Sequence, residues 1–511
     1  MKTKIANYRS GLLAGLFILA QAGFGATKHD QNIEKTFVAT PGGRLVIDAD
    51  RGSIEVTTSA EDKVQVRVFR QVNGGTKADA EVLFANHELT FDQQGNTISV
   101  MAKNQKQQRL SFGSRPGLEV RYEVSLPRKF DVELKTSGGA IQVGDLEGQA
   151  IARTSSGSIK LGRITGRIEA SNSGGSIAVE EAGNDLAART SSGSISVQKG
   201  RGKIEVSNSG GHIRVDEAAG NVTAKTSSGT ITLGIVGGAV EALNSGGNIR
   251  IDSAGGPVTA QTSSGSIQVG KVKGKTLNAK NSGGGIEIGT ADGSVKAETS
   301  SGSIHIKTAG GSLDVRNSGG SIEIGEAGGS VTAETSSGNI KIKSAKGNVD
   351  ARNSGGSIVV AEAGGASSLR TSSGGIVVTQ ANGKVEAKNS GGRIEVSDAR
   401  DVVQAETSSG GIAVNFSTPP KAECRLQVSG GGVTVGLPRS AGFNLDAHSS
   451  GGRIVTETPI SVTVQGEQKP GVLQGKINGG GPGLILRASS GDIRLKESGL
   501  NVAADEKSGS R

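Results

Sequence analysis

The chain has 511 residues, a formal net charge of +9, 82 glycines, no tryptophan and 2% aromatic residues. So few large side chains exclude a conventional globular core, and glycine without an every-third period, with only ten prolines, excludes collagen. The single cysteine, Cys424, excludes an intramolecular disulfide, and basic residues interleaved with acids and lacking aromatic neighbours argue against a nucleic-acid surface.

Lys2, Lys4 and Arg9 precede an apolar run from Leu12 to Ala22 that is too short to span a bilayer. Small residues follow at Ala20-Gln21-Ala22 and Gly23-Phe24-Gly25. Residues 1–25 are therefore expected to be a signal peptide. The mature chain should begin between residues 23 and 27, with no transmembrane segment and a periplasmic, cell-surface or extracellular destination. No cysteine lies near the cleavage point, which argues against a lipid anchor.

Residues 26–135 carry strand-like alternation, as in Arg44 to Asp48 and Lys63 to Val68, with one short helix expected over Ala78–Asn86. They are expected to form a β-rich N-terminal cap. From Thr136 the phrases Thr-Ser-Ser-Gly-x-Ile and Asn-Ser-Gly-Gly-x-Ile alternate, and the repeat isoleucines run from Ile141 to Ile412. Their interval is 18 residues, apart from a single 19 between Ile267 and Ile286. A second apolar residue stands at the half-period of nine, as at Ile168, Val222 and Val331, and each begins a two-step alternation. A fixed period of this kind predicts a stacked solenoid with two short strands per unit over residues 136–415.

Glycine stands two positions before every repeat isoleucine, and usually before the half-repeat residue, as at Gly166, Gly202, Gly238 and Gly329. Asn184 and Asp401 replace it there, and this pattern predicts corners of positive φ. The length of a coil follows from charge. Acids occupy one outward position in alternate units, at Glu169, Glu205, Glu241, Asp314, Asp350 and Glu386. Coils of 36 residues would stack these acids on one another about 4.8 Å apart, so 18 residues per coil is expected. Residues 416–500, with prolines at 419, 420, 438, 459, 470 and 482, are expected to form an irregular C-terminal β cap, followed by a polar tail over 501–511.

Together the Ser-Ser-Gly-x-Ile corners, the Leu126-Pro127 lead-in and the closing run from Gly475 to Pro482 resemble the bacterial putative-adhesin family of Gly-rich β-solenoid proteins. Leu484 to Arg487 and the final Ser489-Ser490-Gly491-Asp492-Ile493 complete the likeness. The resemblance implies an exported or envelope-associated protein and supplies no catalytic residues. Cell-surface glycans, envelope or matrix components are the partners that reading suggests.

Glu180-Glu181 is the closest local acid pair and reads as a solvated turn. The histidines at 29, 87, 212, 305 and 448 have no metal-ligand spacing. Gly270 to Thr276 falls one residue short of a phosphate-binding loop. No catalytic, cofactor-binding or metal residue is therefore assigned, and no cofactor is expected. A structural or adhesive β-solenoid leads. A carbohydrate-active β-helix enzyme, such as a polysaccharide lyase or hydrolase, is the alternative, and would need a carboxylate cluster on one coil. Ice binding is third, through an outward array of the threonines at 154, 190, 226, 262, 299, 335, 371 and 407.

Overall fold

The computed structural model describes residues 28–105, 117–457 and 470–498. The expected signal peptide and the polar tail lie outside the described residues. What is described is nearly all β: a solenoid of about 17 turns with about 18 residues per turn. Most repeat units contribute a six-residue strand beginning at the repeat isoleucine, such as Ile159–Ile164, and a five-residue strand such as Ile168–Asn172. Both pair in parallel with their counterparts 18 residues away, Ile159 with Ile177 and Ile168 with Leu186. The result is two facing parallel sheets whose inward columns are Ile, Val, Leu and Ala.

The one 19-residue step is absorbed at a corner. Val258 pairs with Leu277 and Ile267 with Ile286, while Leu277 to Val295 is again 18. The extra residue lies between Gly274 and Leu277, inside the stretch that resembles a phosphate-binding loop. That stretch joins strands Ile267–Val272 and Thr276–Lys280 and opens no helix.

The corner glycines overturn one expectation. Among the described residues, positive φ occurs at Gly42, Gly52, Gly74, Gly75, Gly95, Gly471, Gly479, Gly480 and Asn478, and none of these belongs to the repeat. Asn184 and Asp401 do not adopt it either. Instead, the glycine before each repeat isoleucine sits directly over its counterpart one coil earlier. A Cβ placed on Gly265 would fall on the carbonyl of Gly247, and one on Gly320 on that of Gly302, well inside contact distance. The corner therefore needs glycine for close approach of two backbones rather than for a left-handed conformation.

At the N-terminal end the strands are β1 (Lys28–Val38), β2 (Gly43–Ala49), β3 (Ser53–Ser59) and β4 (Lys63–Asn73). Helix α1 (Lys77–Asn86) follows, one residue longer than expected, opened by a capping box between Thr76 and Asp79. Then come β5 (His87–Gln94), β6 (Thr97–Asn104), β7 (Gly117–Pro127), β8 (Phe130–Thr136) and β9 (Ile141–Val143). The stacking order departs from chain order. β2 lies between β6 and β8, and β3 between β7 and β9, all parallel. The first coil is thus clamped under one made later, and β5, β4 and β1 close that end in antiparallel pairings.

The C-terminal end repeats the device. Strands Gly483–Ala488 and Ile493–Glu497 slot between Cys424–Val428 with Val433–Leu437 on one side and Phe443–Ser449 with Ile454–Thr456 on the other. Val472–Ile477 then runs antiparallel along Phe443–Ser449. Antiparallel closure blunts edges that would otherwise recruit further strands. Aromatic side chains fill the two ends, Tyr122 and Phe130 at one and Phe416 and Phe443 at the other, all fully buried.

Candidate groove along the solenoid axis

The second strand of every coil ends in a fixed sequence of orientations. Threonine or asparagine faces inward, so the residues before and after it must face out. Thr154, Thr335 and their counterparts are buried, each donating its Oγ1 hydrogen to a corner glycine carbonyl fifteen residues earlier: Thr154 to Gly139 at 2.8 Å, Thr335 to Gly320 at 2.9 Å. In the alternate coils Asn244 donates Nδ2–H to Gly229 at 2.6 Å and Asn317 to Gly302 at 2.7 Å. The oxygen that excludes a Cβ from the next coil is thereby satisfied. An outward threonine array for ice is therefore ruled out, because all eight of these threonines are buried.

Two exposed columns flank the buried one. Serine follows it in every coil from Ser155 to Ser408, and a mostly charged residue precedes it. That preceding position is basic in eight coils, from Arg153 to Lys388, and acidic in three, at Glu298, Glu334 and Glu406. Between the columns a groove of about 940 Å³ runs over eight coils from Lys280 to Glu406, with a smaller stretch of the same line at Asn208 to Ser263. The acidic column of the same sheet lies beside it and pairs with it, Arg352 with Asp350 at 3.0 Å and Arg370 with Glu386 at 3.7 Å. Lys296 beside Glu298 holds that carboxyl below its usual range.

The residues singled out for chemistry are not brought together. Glu180 pairs with Arg163 at 3.3 Å and Glu181 with Arg201 at 2.7 Å, so the closest acid pair is divided between two arginines. His305 lies 3.4 Å from Glu323, and His212 accepts the Thr230 N–H through Nδ1 at 3.0 Å. Among the described residues no three His, Cys, Asp or Glu side chains are grouped to hold a metal. Burial pushes the Cys424 thiol up to about 11.

One cluster escaped sequence reasoning. Arg70 occupies an inward slot of β4, buried, and donates to the carbonyls of Phe84 at 3.0 Å and His87 at 2.9 Å and to Gln31. Its Nη1 lies 3.5 Å from His87 Nδ1, and Tyr122 Oη lies 3.5 Å from His87 Nε2. Burial, then the charges of Arg70 and Arg51, lower the His87 pKa to about 4, with Asp50 opposing. Burial raises the Tyr122 hydroxyl. The interruption of a valine alternation, Val64-Val66-Val68 and then Arg70, was the available signal.

Residues 43–256 match the family model described as Toastrack DUF4097. This segment is a Toastrack domain. The Toastrack match opens at β2, the coil clamped beneath β6 and β7, and closes inside the repeat array, whose remaining coils continue the same ladder. No curated protein matches the chain significantly. Among solved structures, a protein described as a putative adhesin from Bacteroides fragilis is 15% identical, covering 56% of this chain and 97% of its own, with a TM-score of 0.20. One described as a putative cell adhesion protein from Clostridium sporogenes is 8% identical, covering 91% and 100%, with a TM-score of 0.13. One described as a putative lipid binding protein from Parabacteroides distasonis is 14% identical, covering 65% and 92%, with a TM-score of 0.19. At these scores the superpositions carry no argument about function. No helix among the described residues is long and apolar enough to cross a membrane.

Proposed function

We propose that this is a non-catalytic, exported surface or envelope protein that adheres through its repeated outward side chains. The observation behind this reading is that polar residues recur by slot, coil after coil, in exposed columns along one groove. Side chains that repeat at every coil contribute many weak contacts at once, so avidity grows with coil number. A catalytic constellation would instead sit on one or two coils. Residues 1–25 would direct export, and residues 26–135 and 416–500 would close the array over 136–415.

The test is a deletion series that removes whole coil pairs, for example Ile213 to Asn248, with both ends kept. Attachment to bacterial surfaces and to a glycan array is measured for each variant. Graded weakening with each pair removed is expected. Total loss from one particular deletion, with no effect from the others, would establish a discrete site and end the scaffold reading.

A further inference from the structure

The groove has a sign and a spacing. Over the eight coils of the groove the charged column carries five basic residues against three acidic ones. In the coils that form the groove, Arg352 stands in register with Arg370, and Arg370 with Lys388, three cations at successive coils about 4.8 Å apart. Their carboxylate partners, Asp350 and Glu334 for Arg352, Glu386 for Arg370 and Glu406 for Lys388, are themselves solvent-accessible, and the basic side chains are each about half exposed. Exposed ion pairs are worth about 0–1 kcal/mol each, so an incoming anion can take a share of these cations at little cost. The opposite wall is the unbroken serine column, each hydroxyl both donor and acceptor.

Resting on the scaffold reading above, we propose that this groove binds a linear acidic polysaccharide laid parallel to the solenoid axis. Its carboxylates would lie against Arg352, Arg370 and Lys388, and its hydroxyls against the serines. A linear chain laid along the axis meets one coil after another, so each added unit can add a contact. The groove from Lys280 to Glu406 is about 34 Å long at the parallel-strand spacing, which accommodates several units. A nucleic acid has a polyanionic backbone too, but single strands are held by aromatic stacking. No Phe, Tyr or Trp occurs between Phe130 and Phe416.

The test titrates the full-length protein with fluorescent polygalacturonate oligomers of increasing length. Neutral dextran and oligothymidylate serve as comparators. Binding should strengthen with oligomer length, weaken with salt, exceed that of both comparators, and fall about tenfold or more in Arg352→Gln/Arg370→Gln/Lys388→Gln. The variant Lys307→Gln/Lys341→Gln/Lys343→Gln, on the other sheet, should bind as the unmodified protein does. If the first triple variant unfolds, Lys388→Gln alone should still weaken binding about two- to threefold. Absence of polygalacturonate binding, equal binding of dextran or oligothymidylate, or equal loss in the two triple variants would overturn the proposal. Such a failure beside graded loss of attachment in the deletion series would leave the scaffold reading standing.

Discussion

The array and the two ends of this solenoid use glycine for different reasons. At the ends, glycine supplies backbone conformation: Gly42, Gly74, Gly95 and Gly479 have positive φ, with open space where a Cβ would go. In the array, Gly265 and Gly320 have no positive φ and no space, because each lies on the carbonyl of the coil beneath. The ends are made of aromatic side chains, antiparallel strands and a buried polar cluster. The array is made of aliphatic columns and one repeated hydrogen bond from Thr or Asn. Among the described residues positive φ is thus confined to the ends, whereas stacking on the coil beneath governs Gly265 and Gly320 in the array and recurs at Gly452 and Gly491 of the C-terminal end.

The comparison can be broken most strongly at the corner column. Gly265→Ala should cost about 3 kcal/mol or more, since the added methyl has only backbone to displace. The next effect lies at the N-terminal end and depends on pH. His87 is held neutral when folded, with a pKa near 4 against about 6.5 when unfolded. The unfolded chain then binds the extra proton, so stability is complete above about pH 6.5 and declines as pH falls towards 4. The loss should reach at most about 3 kcal/mol for this end. Following denaturant unfolding of the end by Tyr122 fluorescence from pH 7 to 4 checks it, and His87→Gln should remove that part of the decline. The smallest effect is a gain. Ser367 stands in the inward column between Val349 and Val385, and its buried Oγ has no hydrogen-bond partner. Ser367→Val should stabilise the array by about 1 kcal/mol, read as a higher denaturation midpoint.

Much of the array was legible. The 18-residue period located both strands of each coil, and the spacing of like charges selected that coil length over 36, as the pairing of Glu169 with Ala187 bears out. The orientation of Thr154 and Asn172 was also within reach, since counting the alternation forward from Ile168 places Asn172 inside. The corner was misjudged because Asn184 was taken as evidence about φ, whereas the limit is the distance between stacked backbones. The clamped ends were out of reach for another reason. β2 meets β6 across some fifty residues, and no local pattern announces a pairing that skips a coil. The charged column beside the groove was present in the sequence at a fixed slot. It becomes a wall only when the coils are stacked.

The most direct test of the two uses of glycine is a paired substitution. Ala and Asn are placed in turn at Gly265 in the array and at Gly479 at the C-terminal end, and each variant's unfolding midpoint is measured. At Gly479, where φ is +84° and nothing crowds the position, Asn should be milder than Ala, because asparagine tolerates a left-handed backbone better. At Gly265 the two should be equally severe, since both carry the Cβ that meets Gly247. A clear sparing of Asn at Gly265, with Ala severe, would show that the array corner is conformational and would contradict this account.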